Sequence, residues 1–512
     1  MTKALSRGAI TLALLCFASY AQAEFLEAKT ESIASQVLHQ DRTIEVYLPV
    51  ESSKQPSERF ETLYVLDGDW NTKLVIEIVD FLRQLGMMPP VVVVSVPNYF
   101  DPHGVNSRDR DLTPSVVKDQ PRSGGASDFL AFLKTELTPF VDQHYPTNGV
   151  HLVHGHSFGG LFLIYVLENE PGLFDGYLVL DPAMWWDNGA FKAGLHERLV
   201  SMPTRGKAVY IAGREGLGAK DMGLEDLEPI LKAALPPSLA WRMKLYADET
   251  HDSLKIKATY DALKFAYHGY TQDSVEVAPA AGIMLEGRPA PLAVFGSRID
   301  LHYTTDGSEP TANSPRYEAG PIMVSDPAKT RLKSLSTRGL FDREVPVNLR
   351  FGAALPPAQG LRSGKTADGW HYSLYPSEAW ANLAAHDAVK PLREGTATES
   401  LPLKDLGRER VAGRLVRNLD VPADGYFIFG IQASRARLRL GNTVLISNDG
   451  PDEQRMQSFI VPLKKGTYPL AIDFESATAN PSLYLGIVRC TDDQPQWWTQ
   501  HPWLEFSARE RP

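Results

Sequence analysis

The chain has 512 residues, too long for one ordinary core, so roughly two to four domains are expected. Its composition, 43% hydrophobic and 22% charged with no long low-complexity run, is that of a globular protein. A formal net charge of -10, with no Lys/Arg cluster, argues against a nucleic-acid binder.

Residues 1–23 read as an export signal. Lys3 and Arg7 precede the apolar stretch AITLALLCFASY, and Ala21 to Ala23 supply a small-x-small cleavage pattern. The apolar part is short for a spanning helix, and no other run reaches that length. Leu14 and Leu15, before Cys16, are too bulky for lipoprotein-type cleavage. Once the signal is removed Cys490 is the only thiol, so neither a disulfide nor a cysteine metal site is expected. The location implied is the bacterial periplasm or the exterior, with no transmembrane anchor.

From 24 to 272 strands and helices alternate. RTIEVYLPV, ETLYVLDGDW and PPVVVVSVPNY read as strands, the last as a central parallel one. NTKLVIEIVDFLRQLG has helical spacing at Leu74, Ile78, Phe81, Leu82 and Leu85, with Gly86 as its stop. GASDFLAFLKTELTPFVDQHY reads as one amphipathic helix capped by Ser127. GVHLVHG, GYLVLDP, KAVYIAGRE and AWRMKLYADETH follow as strands, with GLFLIYVLENE and LKIKATYDALKFAYHGY as helices. This alternation predicts a mainly parallel, doubly wound α/β sheet.

Beyond VEVAPAAG the helical period is lost. Residues 278–352 read as a small β-sandwich with Asp-Gly and Pro-rich turns, and 356–490 as a second all-β module, leaving 491–512 as a tail.

Ser157 lies in GHSFGG, on a strand-turn-helix corner flanked by Gly155 and Gly159. A sharp turn that presents a nucleophile needs small residues there. A serine hydroxyl is a poor nucleophile until a histidine takes its proton and a carboxylate orients that histidine. In α/β-hydrolase order the acid and then the histidine follow the serine, each after a later strand. His251, past the third strand downstream, is the expected base. Glu215 is the preferred acid, with Asp221 second and Asp181 third. For the oxyanion hole the expected donors are the amide of Phe158 and one from the Gly68 loop, that of Asp69 or Trp70. His156 and Arg108 are pocket candidates, Arg108 lying in a charged loop with Arg110 and Asp111 that binds substrate or braces itself. Trp185 and Trp186 either stack on an aromatic acyl group or a sugar, or pack. No H-E-x-x-H, cysteine pair or phosphate-binding glycine loop is present, so no metal and no cofactor are expected.

YVLDGDW, NSRDRDLTPS, GHSFGGLF and DPAMWWDNG occur in the order found in the esterase family of α/β-hydrolases that includes esterase-D-like and trilactone siderophore enzymes, and residues 35 to 270 resemble it. The resemblance implies Ser157 as nucleophile, His251 as base, Glu215 as acid, and the Gly68 loop with Phe158 as oxyanion hole. One departure stands out: the family's usual SPSLWW reads DPAMWW here. LHYTTDGSEPTANSPRY resembles the small β-sandwich at the C-terminus of chitobiase and β-hexosaminidase enzymes. DGYFIFGI and ARLRLGNTVLISNDG are similar to the β-barrel domain of protective-antigen type. Together these imply an exported serine carboxylesterase acting on ester-decorated glycans or siderophore-type esters. The alternative is a non-catalytic glycan-binding envelope protein that works through its β modules.

Overall fold

The structure, a computed structural model, describes residues 25–195, 199, 203–270, 275–295, 300–358, 369–382, 390–397, 411–433, 435–448, 457–476, 482–490 and 504–507. The expected export signal lies outside the described residues. Two compact units form: Met1–Gln272 with Ser336–Phe341, and Asp273–Leu335 with Asp342–Pro512.

In the first unit eight strands make one sheet: β1 (Lys29–Ser35), β2 (Gln40–Tyr47), β3 (Phe60–Leu66), β4 (Val91–Val96), β5 (Thr147–His156), β6 (Gly176–Leu180), β7 (Ala208–Arg214) and β8 (Ala240–Tyr246). Their spatial order is β1-β2-β4-β3-β5-β6-β7-β8. β1 and β2 are antiparallel to their neighbours, and the other six run parallel. The α/β-hydrolase class expected from sequence is this architecture. β4, VVVVSV, is buried along its whole length because helices cover both faces. Its side chains alternate: Val92 and Val94 enter one core with Phe132 and Phe162, Val91 and Val93 the other with Val79 and Leu263.

The helix after β3 runs Gly68–Gln84, starting earlier than the apolar spacing suggests. It buries Val75, Ile78, Val79 and Leu82, while Phe81 and Leu85 are exposed. Gly86 closes it with φ +61°. The helix expected near 125–145 is interrupted: Ala126–Phe132 and Thr138–His144 are α-helical, with a π-turn at Leu133–Leu137 between them. Its N-cap is Gly125, and Ser127 lies inside the first turn.

Residues 336–341 belong to this unit although they come late in the chain. Arg338 is completely buried, its Nη2 donating to both oxygens of Glu61 at 3.0 and 2.7 Å and its Nε to Ala266 O at 3.1 Å. Tyr267 completes the cluster by donating to Glu61 at 2.9 Å.

In the second unit the regular elements among the described residues are strands, apart from one 3-10 turn at Ser377–Asn382. Gly425–Gln432, GYFIFGIQ, shows why the sequence alternates there: Tyr426 and Ile428 enter one core and Phe427, Phe429 and Ile431 another. The six-stranded sheet that contains it also takes in Ala281–Met284, Leu349–Phe351, Gln457–Leu463, Ser482–Cys490 and Leu504–Ser507. A second six-stranded sheet, which includes Trp370–Pro376 and Val411–Val421, closes the core around Phe427 and Phe429. Strands from the region read as a small sandwich therefore pair directly with those from the region read as a second module, Ala281 opposite Phe459. No helix among the described residues is long and apolar enough to cross a membrane.

Candidate active site

Ser157 sits where β5 ends and the Phe158–Asn169 helix begins, at φ +60° and ψ -116°. A non-glycine residue in such a conformation is strained and must be held by its surroundings. Here the holding is by backbone: Ser157 N donates to Leu180 O at 2.9 Å, and Ala183 N donates to Ser157 O at 3.2 Å. The serine is thereby pinned to the end of β6. Gly155 is required, since a Cβ there would lie 2.5 Å from Gly159 O. Gly159 is under less pressure, its nearest contact being Asp67 Oδ2 at 3.3 Å. Ser157 alone in 151–160 is not buried.

His251 projects from the turn after β8, and its Nδ1 donates to Asp181 Oδ2 at 2.7 Å. That turn is braced by reciprocal bonds between Thr250 and Ser253, 2.9 and 3.0 Å. Asp181, first residue after β6, has 0% exposure and φ +41°. The acid preferred from sequence is therefore corrected: Asp181, ranked third, meets the histidine, and Glu215 does not. Glu215 is exposed, and its backbone N donates to Tyr246 O at 3.0 Å. The reason is alternation along β7. Arg214 turns its Nε onto Asp181 Oδ2, 2.7 Å away, so the next side chain faces solvent. Asp221 is likewise exposed, on the short Leu217–Met222 helix. The signal for Asp181 was in the sequence, as the departure from the family's SPSLWW. Arg214 carried no signal that spacing could reveal.

His156 takes a different role from the pocket contact expected of it. Its Nε2 donates to His251 O at 2.8 Å, and the two rings lie 4.3 Å apart. Burial pushes the His156 imidazole down to about 3, so it stays neutral and holds the turn that carries His251.

Gly68 opens its helix because a Cβ would come within 2.3 Å of Ser95 Oγ and 3.0 Å of Val96 N. The amide of Trp70 already donates to Asp67 O at 2.9 Å. Of the two amides expected from sequence, Asp69's is the one placed at the open first turn, where helix N–H groups lack intrahelical partners. Asp67, quoted in the motif but given no role there, is buried and bound by Arg108 at 2.7 and 2.9 Å and by Asn98 at 3.0 Å. Arg108 also reaches His156 O at 3.4 Å and lies over the rings of Trp70 and Phe158. Its charge is engaged by Asp67, so it braces the loops on either side of the serine rather than facing an open pocket.

The paired tryptophans divide. Trp186 is 1% exposed, and its Nε1 donates to Ser115 Oγ at 3.1 Å, so it packs. Trp185 is 44% exposed beside Phe158, whose ring lies 5.9 Å away, and Trp70 is 55% exposed beyond Arg108. The arginine loop also borders a polar cavity of about 620 Å³ whose walls include Tyr99, Asn106, Ser107, Arg110 and Arg122. Among the described residues no three His, Cys, Asp or Glu side chains gather to hold a metal ion.

Comparison with known proteins bears on the same region. Residues 35–254 match the family described as "Putative esterase", and residues 280–339 the chitobiase/beta-hexosaminidase C-terminal domain. The ferri-bacillibactin esterase BesA of Bacillus subtilis is 25% identical over 164 residues, 29% of this chain and 56% of that protein. The siderophore enterobactin esterase of Emericella nidulans is 29% identical over 161 residues, 27% of this chain and 51% of that one. The chain thus spans about half the length of these curated relatives. Among solved structures, an IroE-like serine hydrolase from Shewanella oneidensis aligns with TM-score 0.44 and 27% identity, over 48% of this chain and 82% of that one.

Proposed function

We propose that this chain, whose residues 35–254 match the esterase family, is a serine carboxylic-ester hydrolase with Ser157, His251 and Asp181 as its triad. The observation that carries the reading is the 2.7 Å bond from His251 Nδ1 to a fully buried Asp181, next to a serine held at a strained corner. With Nδ1 bound to the carboxylate, Nε2 is the free base. Ser157 Oγ attacks the ester carbonyl carbon as His251 Nε2 takes its proton. The amides of Phe158 and Asp69 stabilise the oxyanion. Collapse expels the alcohol, which takes the proton back from His251. Water then attacks the acyl-enzyme with His251 again as base, releasing the acid and restoring Ser157. No cofactor enters these steps.

One relative is named a siderophore enterobactin esterase and another a ferri-bacillibactin esterase, and the exposed Trp70 and Trp185 offer faces on which an aromatic part of an ester can stack. Siderophore-type esters are therefore the first substrate class. Ester-decorated glycans are the second, supported by the chitobiase-type match at 280–339. Export through residues 1–23 is part of the same proposal. The test is hydrolysis of p-nitrophenyl esters, ferric trilactones and feruloyl or acetyl glycans by the chain without its signal, beside Ser157→Ala. Turnover with an acyl-enzyme burst, lost in Ser157→Ala, is expected. Absence of turnover together with no fluorophosphonate labelling of Ser157 would overturn it and favour glycan binding by the second unit.

A further inference from the structure

The Asp181 carboxylate is loaded on one side only. Its Oδ2 accepts from His251 Nδ1 and from Arg214 Nε, each at 2.7 Å, while its buried Oδ1 has no hydrogen-bond partner among the described residues. The turn after β7 is shaped to admit this. A side chain at Gly218 would come within 2.6 Å of Arg214 Cβ and 3.1 Å of its Nη1, so glycine leaves the guanidinium room to turn inward. A fully buried carboxylate needs a countercharge. With only His251 as neighbour, that charge would come from an imidazolium, whose Nε2 has no lone pair to accept the serine proton. A guanidinium stays protonated at every relevant pH.

We infer that Arg214 is a positioning residue for the base: as the permanent countercharge of Asp181 it keeps the carboxylate ionised while His251 stays neutral. This rests on the triad reading above and extends it to a residue outside the motif.

The other groups around His251 do not supply that charge. His156, stacked on it from the end of β5, is neutral. Asp252, beside it in the turn, pairs with Lys255 of the following helix at 3.1 Å. Glu249 of the same loop pairs with Lys257. Across Ser157, Asp67 and Arg108 neutralise each other. Arg214 is the cation in contact with the acid.

The decisive experiment follows the His251 ring by histidine-labelled NMR across pH in the full chain, assigned with His251→Gln, and in parallel the acid limb of kcat/KM on a p-nitrophenyl ester. In Arg214→Gln the His251 titration and the acid limb are expected to move up together by about one pH unit or more. Below the limb, turnover at a fixed pH then falls about tenfold for each pH unit the limb has moved. Arg214→Lys, which keeps the charge, is expected to leave both near the parent position. A His251 titration unchanged in Arg214→Gln would overturn the inference and leave the arginine a packing role. Should Arg214→Gln fail to fold, Arg214→Met, which keeps an apolar side chain of similar reach without the charge and leaves Asp181 in place, is titrated instead. The same upward movement on loss of the arginine is expected, and its absence overturns the inference equally. The NMR titration needs no substrate, so it reports on Arg214 even if no ester is turned over, whereas Ser157→Ala and fluorophosphonate labelling test the underlying esterase reading.

Discussion

At the scale of single residues, the acid is where sequence and structure part. Converting a triad acid to its amide leaves the histidine in the wrong tautomer and costs about four orders of magnitude in kcat in a serine protease. Asp181→Asn is therefore expected to lower kcat roughly a thousandfold or more, whereas Glu215→Gln, exposed and away from His251, stays within about twofold. Steady-state kinetics on one p-nitrophenyl ester decides between them, and the reverse ranking would restore Glu215. The glycines beside Ser157 give a second contrast. Gly155→Ala drives a Cβ into the backbone of residue 159 and is expected to destabilise the unit by about 1–3 kcal/mol with loss of activity. Gly159→Ala meets a carboxylate oxygen at 3.3 Å and Leu66 Cβ at an ordinary 3.7 Å and should fold, as urea midpoints of the two variants will show. The strand-to-helix corner at Ser157 and the place of His251 in the turn after the third later strand were legible because each follows from local pattern and chain order. Asp181 was less so, because whether Asp181 or Glu215 faces the base depends on which side of β7 Arg214 occupies, and one-dimensional spacing does not encode that.

At the scale of elements, the apolar period located strands and helices well but not their interruptions. The stretch 126–144 keeps one amphipathic pattern, yet Pro139, at the start of its last helical segment, has no N–H to donate, and the backbone passes through a π-turn just before it. In the same way Phe81 and Leu85 fit a helical stripe by spacing but fall outside the buried face, which is set by the sheet beneath it. The segment 336–341 is harder still to read from sequence. It lies among β-rich residues, yet its Arg338 is buried against Glu61 and Tyr267 of the first unit. Removing one partner of a buried ion pair leaves the other charge uncompensated, typically at 3–5 kcal/mol. Arg338→Ala is expected to destabilise the first unit by about that amount, and the double variant Arg338→Met/Glu61→Leu to recover most of it. Chemical unfolding followed by loss of Ser157 labelling measures both. Equal effects of the single and double variants would mean that packing, not the charge pair, holds this segment.

For the whole molecule, the shift from alternating elements to strands alone was visible because the period of the apolar residues changes near 275. The pairing of Ala281–Met284 with Leu349–Phe351 on one side and, on the other, with Gln457–Leu463 more than a hundred residues later was not, because strand partners are chosen by tertiary packing. Stability against acid is a property of the first unit that follows from two buried histidines. His154 is fully buried with its Nε2 bonded to Thr259 Oγ1 at 3.0 Å. Burial, helped by the charge of Lys255, pushes its imidazole down from 6.5 to about 4, and His156 goes to about 3. Both values lie below those of the unfolded chain, so the unfolded state binds protons more tightly as pH falls. Their contribution to stability is therefore complete above pH 6.5 and is lost progressively as pH drops toward 4 and 3. At pH 4.5 this amounts to roughly 2–3 kcal/mol for each group. The thermal midpoint of the first unit is expected to fall steeply between pH 6.5 and 4.5, a window above the usual carboxylate range. His154→Gln, which cannot gain a proton there, should flatten that slope by about half even if it lowers the midpoint at neutral pH. An unchanged slope in His154→Gln would mean that the acid sensitivity arises elsewhere in the chain.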